Sequence, residues 1–252
     1  MATIKEMKEE LSLCRQGGDE RQVANLAFKL GDTYREKGRW EEALPLLEES
    51  LALCRRLGNP EGEAIVTLSL AELHLGRSDP KRAESLAKSA LAFYRQNQDV
   101  RGRVRASLIA GDAHWARQDY EAAIPCYEEA LGPCREHGDV PGTASMLDRL
   151  AKMHRLLGRQ EEALLRFQES LALWQKLSIP DREAMTWANI GDICRTRGDL
   201  SEAVRCHEQA LQLYRTMKNP GAIETLEKEL ASLQRVASKD AAGKNTEESE
   251  PD

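Results

Sequence analysis

Aromatic side chains are scarce in this 252-residue chain, at 5% of residues, and no apolar run approaches the roughly 18–20 residues that a membrane span needs. The first shortage argues against one thick globular core, the second against a transmembrane segment. The opening residues, MATIKEMKEEL, alternate charge with isolated apolar positions and lack the apolar centre of a signal peptide. Phosphate-loop, H-E-x-x-H and G-x-S-x-G patterns are missing, and the six cysteines form no C-x-x-C pair. No catalysis, cofactor or metal is therefore expected, and a cytoplasmic protein with reduced thiols is.

Charge adds further exclusions. The net charge is −6, and residues 238–252 carry two lysines against five carboxylates, which accounts for half of the excess. A mildly acidic body has no general attraction for phosphate backbones or anionic lipid, so neither nucleic acid nor membrane insertion is expected. Charged residues reach 31%, which suits many two-sided amphipathic helices.

What the chain has in abundance is repetition. Leu11, Leu51, Leu91, Leu131, Leu171 and Leu211 recur at a spacing of 40 with no insertion between copies. Ala43, Ala83, Ala123, Ala163 and Ala203 form a second column, and Gly31, Ala71, Gly111, Ala151 and Gly191 a third, of small residues only. A fixed period in this range marks a solenoid of stacked units. Within one unit, Ala24, Ala27, Phe28, Leu30, Gly31 and Tyr34 follow a period near 3.6 and predict a first helix from Ala24 to Lys37, closed by Gly38. A second runs from Glu41 to about Leu57 and ends at Gly58-Asn59-Pro60. Small residues on both helices let the pair approach closely, and stacking buries the faces that a pair alone leaves open.

The stretches LAFKLGDTYREKGRWEEALPLLEESLAL and WANIGDICRTRGDLSEAVRCHEQALQLY resemble the tetratricopeptide repeat, with small residue, aromatic, glycine and alanine at the spacing of Gly31, Tyr34, Gly38 and Ala43. The 40-residue period is similar to the longer-helix subclass of kinesin light chains, Pins-type adaptors, rapsyn-like scaffolds and bacterial Rap-type regulators. The resemblance implies an all-α fold, a right-handed α-solenoid of antiparallel helix pairs over residues 1–237. It comprises a capping half-repeat at 1–20, five full repeats starting near 24, 64, 104, 144 and 184, and a capping helix at 221–237. Residues 238–252 lack apolar periodicity and are expected to form a disordered acidic tail.

Two apparent sites dissolve into this register. His74, His114 and His154 stand 40 apart, but Tyr34 and Cys194 complete their column, which makes it a packing position. Cys14, Cys54 and Cys134 share a column with Tyr94, Trp174 and Tyr214, so cysteine stands in for buried apolar residues.

The resemblance further implies a non-enzymatic adaptor that holds a peptide or helix of a partner protein in a trough lined by the first helices. A module that clamps and modulates an enzyme or transcription factor is the alternative. By position, the peptide-binding residues are Phe28, Arg35, Leu68, Leu75, Arg105, Leu108, Trp115, Arg149, Lys152, Arg155, Asn189 and Arg195. The middle of the set is apolar and its end basic, which suits an apolar anchor followed by acidic residues. The asparagine by which many long-repeat members hold a ligand backbone survives only as Asn189, and the carboxylate clamp of chaperone-binding members is unmatched at Phe28 and Asp32. The protein is expected to be a monomer.

Overall fold

The computed structural model describes residues 3–247, with side chains described for 3–236. Among these residues the chain is helix and short turn: α1 (Ile4–Gly17), α2 (Glu20–Glu36), α3 (Trp40–Arg56), α4 (Pro60–Gly76), α5 (Pro80–Gln96) and α6 (Val100–Ala116). Then come α7 (Tyr120–Glu136), α8 (Val140–Leu156), α9 (Gln160–Leu177), α10 (Pro180–Arg197), α11 (Leu200–Thr216) and α12 (Pro220–Glu247). None is long and apolar enough to cross a membrane.

The first helices begin four residues earlier than the apolar pattern predicts, at Glu20 in place of Ala24 and at equivalent places in later copies. In α2, α4, α6 and α8 the reason is a polar cap that hydrophobic periodicity does not reveal, whereas α10 starts at Pro180 without a side-chain cap. The Asp19 carboxylate accepts from the Gln22 amide, Asn59 from Gly62, Asp99 from Gly102 and Asp139 from Gly142, each at 2.9–3.0 Å. The same device opens two of the second helices, where Asp79 accepts from the Arg82 amide and Asp119 from that of Ala122, but not α3, α9 or α11.

The turns obey a finer rule than the 40-residue period. Every twentieth residue from Gly18 to Lys218 has a left-handed backbone; six are glycine, and Ser78, Gln98, Gln118, Ser178 and Lys218 are not. Each turn reverses the chain, with the following amide returning to the helix end, as Asn59 does to the Cys54 carbonyl at 2.9 Å.

The chain forms two compact units, Met1–Pro133 and Cys134–Asp252. In unit 1, α2 packs on α3 and α4 on α5, while α2, α4 and α6 also touch one another. Its core joins Leu11, Leu30, Tyr34, Leu47 and Leu73, then Leu68, Leu91, Tyr94 and Ile109. In unit 2, α8 packs on α9, α10 on α11 and α11 on α12, around Phe167, Ile190, Ile193, Leu211, Leu226 and Leu230. The small columns act by contact. A Cβ on Gly111 would lie 2.5 Å from the Tyr127 ring, and one on Gly191 2.1 Å from His207. Gly31 meets Leu47 in the same way.

The capping helices are less finished than the sequence suggests. Leu11 of α1 is buried, but Leu13 beside it is 67% exposed. At the other end α12 does not stop near 237; its backbone stays helical to Glu247, across positions expected to be tail. The remainder of that tail, 248–252, lies outside the described residues.

Candidate functional site

In unit 1 the surface formed by α2, α4 and α6 is a ladder of paired charges. Arg35 sits 2.7 Å from Asp32 on its own helix and 3.0 Å from Glu72 on α4. The other side of Glu72 is taken by Arg105 of α6, whose Nε and Nη2 donate to its two carboxylate oxygens at 2.8 Å each. This bidentate bond raises the Arg105 pKa, against the cost of burial. Asp112, next along the column, accepts from the Tyr127 hydroxyl at 2.7 Å. Each of these cations faces a carboxylate of the same unit.

The apolar part of this surface is smaller than expected. Leu68, assigned to the trough by position, is 1% exposed and belongs to the core, because its place on α4 faces the packed helices of the unit. Ile109 is buried likewise. Phe28 and Leu75 are half-buried against the core, Leu108 is half-buried, and Trp115 at the end of α6 is 48% exposed.

Unit 2 is organised around a buried carboxylate. Asp148 of α8 is 8% exposed and accepts from the Ser170 hydroxyl at 2.5 Å, the Trp174 indole at 2.9 Å and the Thr186 hydroxyl at 3.4 Å. One side chain thus ties α8 to α9 and α10. Desolvation raises its pKa, opposed by the bonds from Ser170 and Trp174 and by the charges of Lys152 and Arg182. Lys152, one helical turn on, is held below the usual ammonium range by desolvation, partly offset by Asp148 and reinforced by Arg149, Arg182 and Arg155. Asp192 of α10 lies 3.6 Å from Arg155 and 3.5 Å from Arg195. Arg155 and Arg195 therefore share Asp192, while Lys152 stands beside Asp148, which already accepts three hydrogen bonds. The one clue to this staple in the sequence is that Asp148 is a carboxylate in a column otherwise of Phe28, Leu68, Leu108 and Ala188, and its partners are not legible there.

Asn189, the one retained asparagine, donates its amide to the Met185 carbonyl at 2.7 Å within α10. Tyr34, His74 and His114 are buried, as a packing column requires. All six thiols are free, and burial pushes the pKa of Cys206 up to about 12 and those of Cys54, Cys126, Cys134 and Cys194 upward. These five are poor nucleophiles at neutral pH.

Comparison with solved structures agrees with this architecture. BtubC (BKLC) from P. vanneervenii superposes with a TM-score of 0.75 at 18% identity, covering 86% of this chain and 91% of that one. A putative kinesin light chain with nearly identical repeats from Podosopora anserina gives 0.66 at 17% identity, covering 77% and 95%. A Rap protein in complex with competence and sporulation factor gives 0.63 at 13% identity, covering 94% and 70%. No curated protein matches by sequence. The family model for the tetratricopeptide repeat matches residues 22–96, 104–176 and 166–216, and the chain belongs to that family.

Proposed function

We propose that this protein is a non-enzymatic adaptor whose α8–α10 face captures an acidic segment of a partner protein. The observation that carries this reading is that Arg155 and Arg195 share the single carboxylate of Asp192, beside a partly dehydrated Lys152 whose neighbour Asp148 is committed to Ser170, Trp174 and Thr186. A ligand carboxylate would add a partner for Lys152, Arg155 and Arg195. In unit 1 taken by itself, the ring of Trp115 is exposed and Leu108, Phe28 and Leu75 are half-buried. Arg35 and Arg105 hold the ladder together and contribute less to binding, and Leu68 is no longer part of the site.

Anisotropy titration of a fluorescein-labelled peptide, a leucine anchor followed by a run of glutamates, tests the reading. Arg149→Glu with Arg155→Glu should weaken binding at least tenfold, and added salt should weaken the wild type steeply. Equal affinity of the two forms would remove it. The likeness to a Rap protein bound to competence and sporulation factor favours a second reading, a module that alters its partner's activity. Under that reading a captured enzyme or transcription factor changes its activity on binding, whereas an adaptor leaves it unchanged.

A further inference from the structure

We propose that the open end of unit 2 is a docking seat for α1 of a second copy of this chain, so that copies associate head to tail and complete a helix pair at each junction. This sets aside the monomer expected from the sequence and is independent of the binding face proposed above.

The interior of the molecule shows what the seat is built to hold. Between α11 and α12 lies a groove of about 660 Å³ lined by Glu208, Leu211, Gln212, Arg215, Leu230 and Gln234. Four copies earlier, the same register positions, Glu48, Leu51, Ala52, Arg55, Leu70 and His74, line a groove of about 300 Å³. That interior groove is narrower because Arg82 and Leu86 of α5, the second helix of the next pair, close it. At the C-terminal end α12 runs on to Glu247 in place of turning near 238, so its backbone does not fold back to supply such a helix.

The small-residue column gives the same answer. It continues to Ala231, which is exposed although Gly31, Ala71, Gly111, Ala151 and Gly191 are all buried. Leu47, Tyr127 and His207 of the second helices cover Gly31, Gly111 and Gly191. In register, the residue that would cover Ala231 is Met7 of an incoming copy, the head of the column Leu47, Ala87, Tyr127, Phe167 and His207. α1 is itself a second helix without a first helix before it in the described chain. Met7 is half-buried where every later member of its column is buried. Leu13 is 67% exposed where its equivalent Leu53 is 7% exposed.

Charge completes the fit and sets the register. Three of the five junctions between consecutive second helices are joined by an arginine and a glutamate 34 residues on, Arg15 to Glu49, Arg95 to Glu129 and Arg135 to Glu169, while the other two have Arg55 with Ser89 and Gln175 with Gln209 at these places. Arg215 is the last arginine of that column and Glu9 the first glutamate. Continuing the repeat across a junction sets Arg215 opposite Glu9 of the next copy. In the single chain both make local pairs that solvent can replace, Arg215 with Glu227 and Glu9 with Lys5, all of them half or more exposed or nearly so. The interface is heterologous, so it propagates as an open series of oligomers. Apolar closure of the groove supplies affinity, and the exposed ion pair supplies orientation.

Sedimentation velocity on the purified full chain at low salt tests this. The weight-average mass of the wild type should rise with concentration through dimer and beyond. Leu13→Glu blocks only the α1 end and Ala231→Arg only the α12 end; both positions are exposed, so circular dichroism should show unchanged helix content. Each variant alone should stay monomeric, while their equimolar mixture should form a 1:1 dimer that grows no further, a signature that only head-to-tail docking produces. Arg215→Glu should weaken wild-type association several-fold, and adding Glu9→Arg to the same chain should restore it. A wild type that stays monomeric, blocked variants that associate like wild type, or a mixture that stays monomeric would each overturn the proposal and leave the groove to a foreign helix or to solvent.

Discussion

On α2, α4 and α6 the inner column of charges is closed on itself, with Glu72 held between Arg35 and Arg105, whereas on α8 and α10 Asp148 is buried as a structural staple and Arg155 and Arg195 share the one carboxylate of Asp192. The two faces arise from the same repeat positions. Two exchanges, Leu or Phe for Asp148 in one column and Glu72 for Lys152 in another, distinguish the ladder from the α8–α10 face. Repeats with one backbone plan thus differ in task through a few column positions.

The largest test of this contrast is Asp148→Ala. It strips an acceptor from Ser170, Trp174 and Thr186 and leaves Lys152 without its nearest carboxylate, so denaturant titration should show a loss of about 3–5 kcal/mol. Asp32→Ala in unit 1 should cost under about 1 kcal/mol, because Arg35 keeps Glu72 and both groups are partly solvated. If the two variants lose equal stability, the buried staple has been misjudged.

Next in size are the close approaches common to both units. Gly111→Ala drives a methyl into Tyr127 and Gly191→Ala drives one into His207, and each should cost about 1–3 kcal/mol in thermal unfolding. These positions were legible in the sequence because a column restricted to glycine and alanine has a steric meaning that one glycine lacks. The helix count, the pairing and the packing role of the histidines and cysteines were legible for the same reason. The staple at Asp148 was not, since its partners lie 22, 26 and 38 residues away and only the fold brings them together. Nor was the burial of Leu68, which depends on how far α4 turns inward among its neighbours. The N-cap carboxylates were missed because polar positions carry no weight in a hydrophobic period.

Protonation separates the faces further. The folded-state pKa of Asp148 is raised above 3.8, so the native state binds a proton more readily than the unfolded chain does. The stability contributed by this group is present at low pH and declines as pH rises from 3.8 through the raised folded value. The wild type should therefore lose ground to Asp148→Asn as pH climbs through that window, read as the difference between their unfolding free energies. For Glu72→Gln the informative readout is binding. Releasing Arg35 and Arg105 from Glu72 should give the unit 1 face an affinity for glutamate-rich peptide that it otherwise lacks.

The smallest expected effect concerns the turns. Gln98→Gly relieves a left-handed backbone at a residue with a side chain and should stabilise unit 1 by up to about 1 kcal/mol, less the added freedom of the unfolded chain. Unchanged melting would mean that the turn carries no such strain.

The central claim is that acidic ligand is held by α8 and α10 and not by the ladder of α2, α4 and α6. Isothermal titration of the glutamate-rich peptide into Arg149→Glu with Arg155→Glu, beside Arg35→Glu with Arg105→Glu, separates the two. Both variants remove two arginines and change net charge equally, so long-range attraction falls alike. The account predicts that the first loses at least ten times more affinity than the second, and losses that are equal or reversed would contradict it.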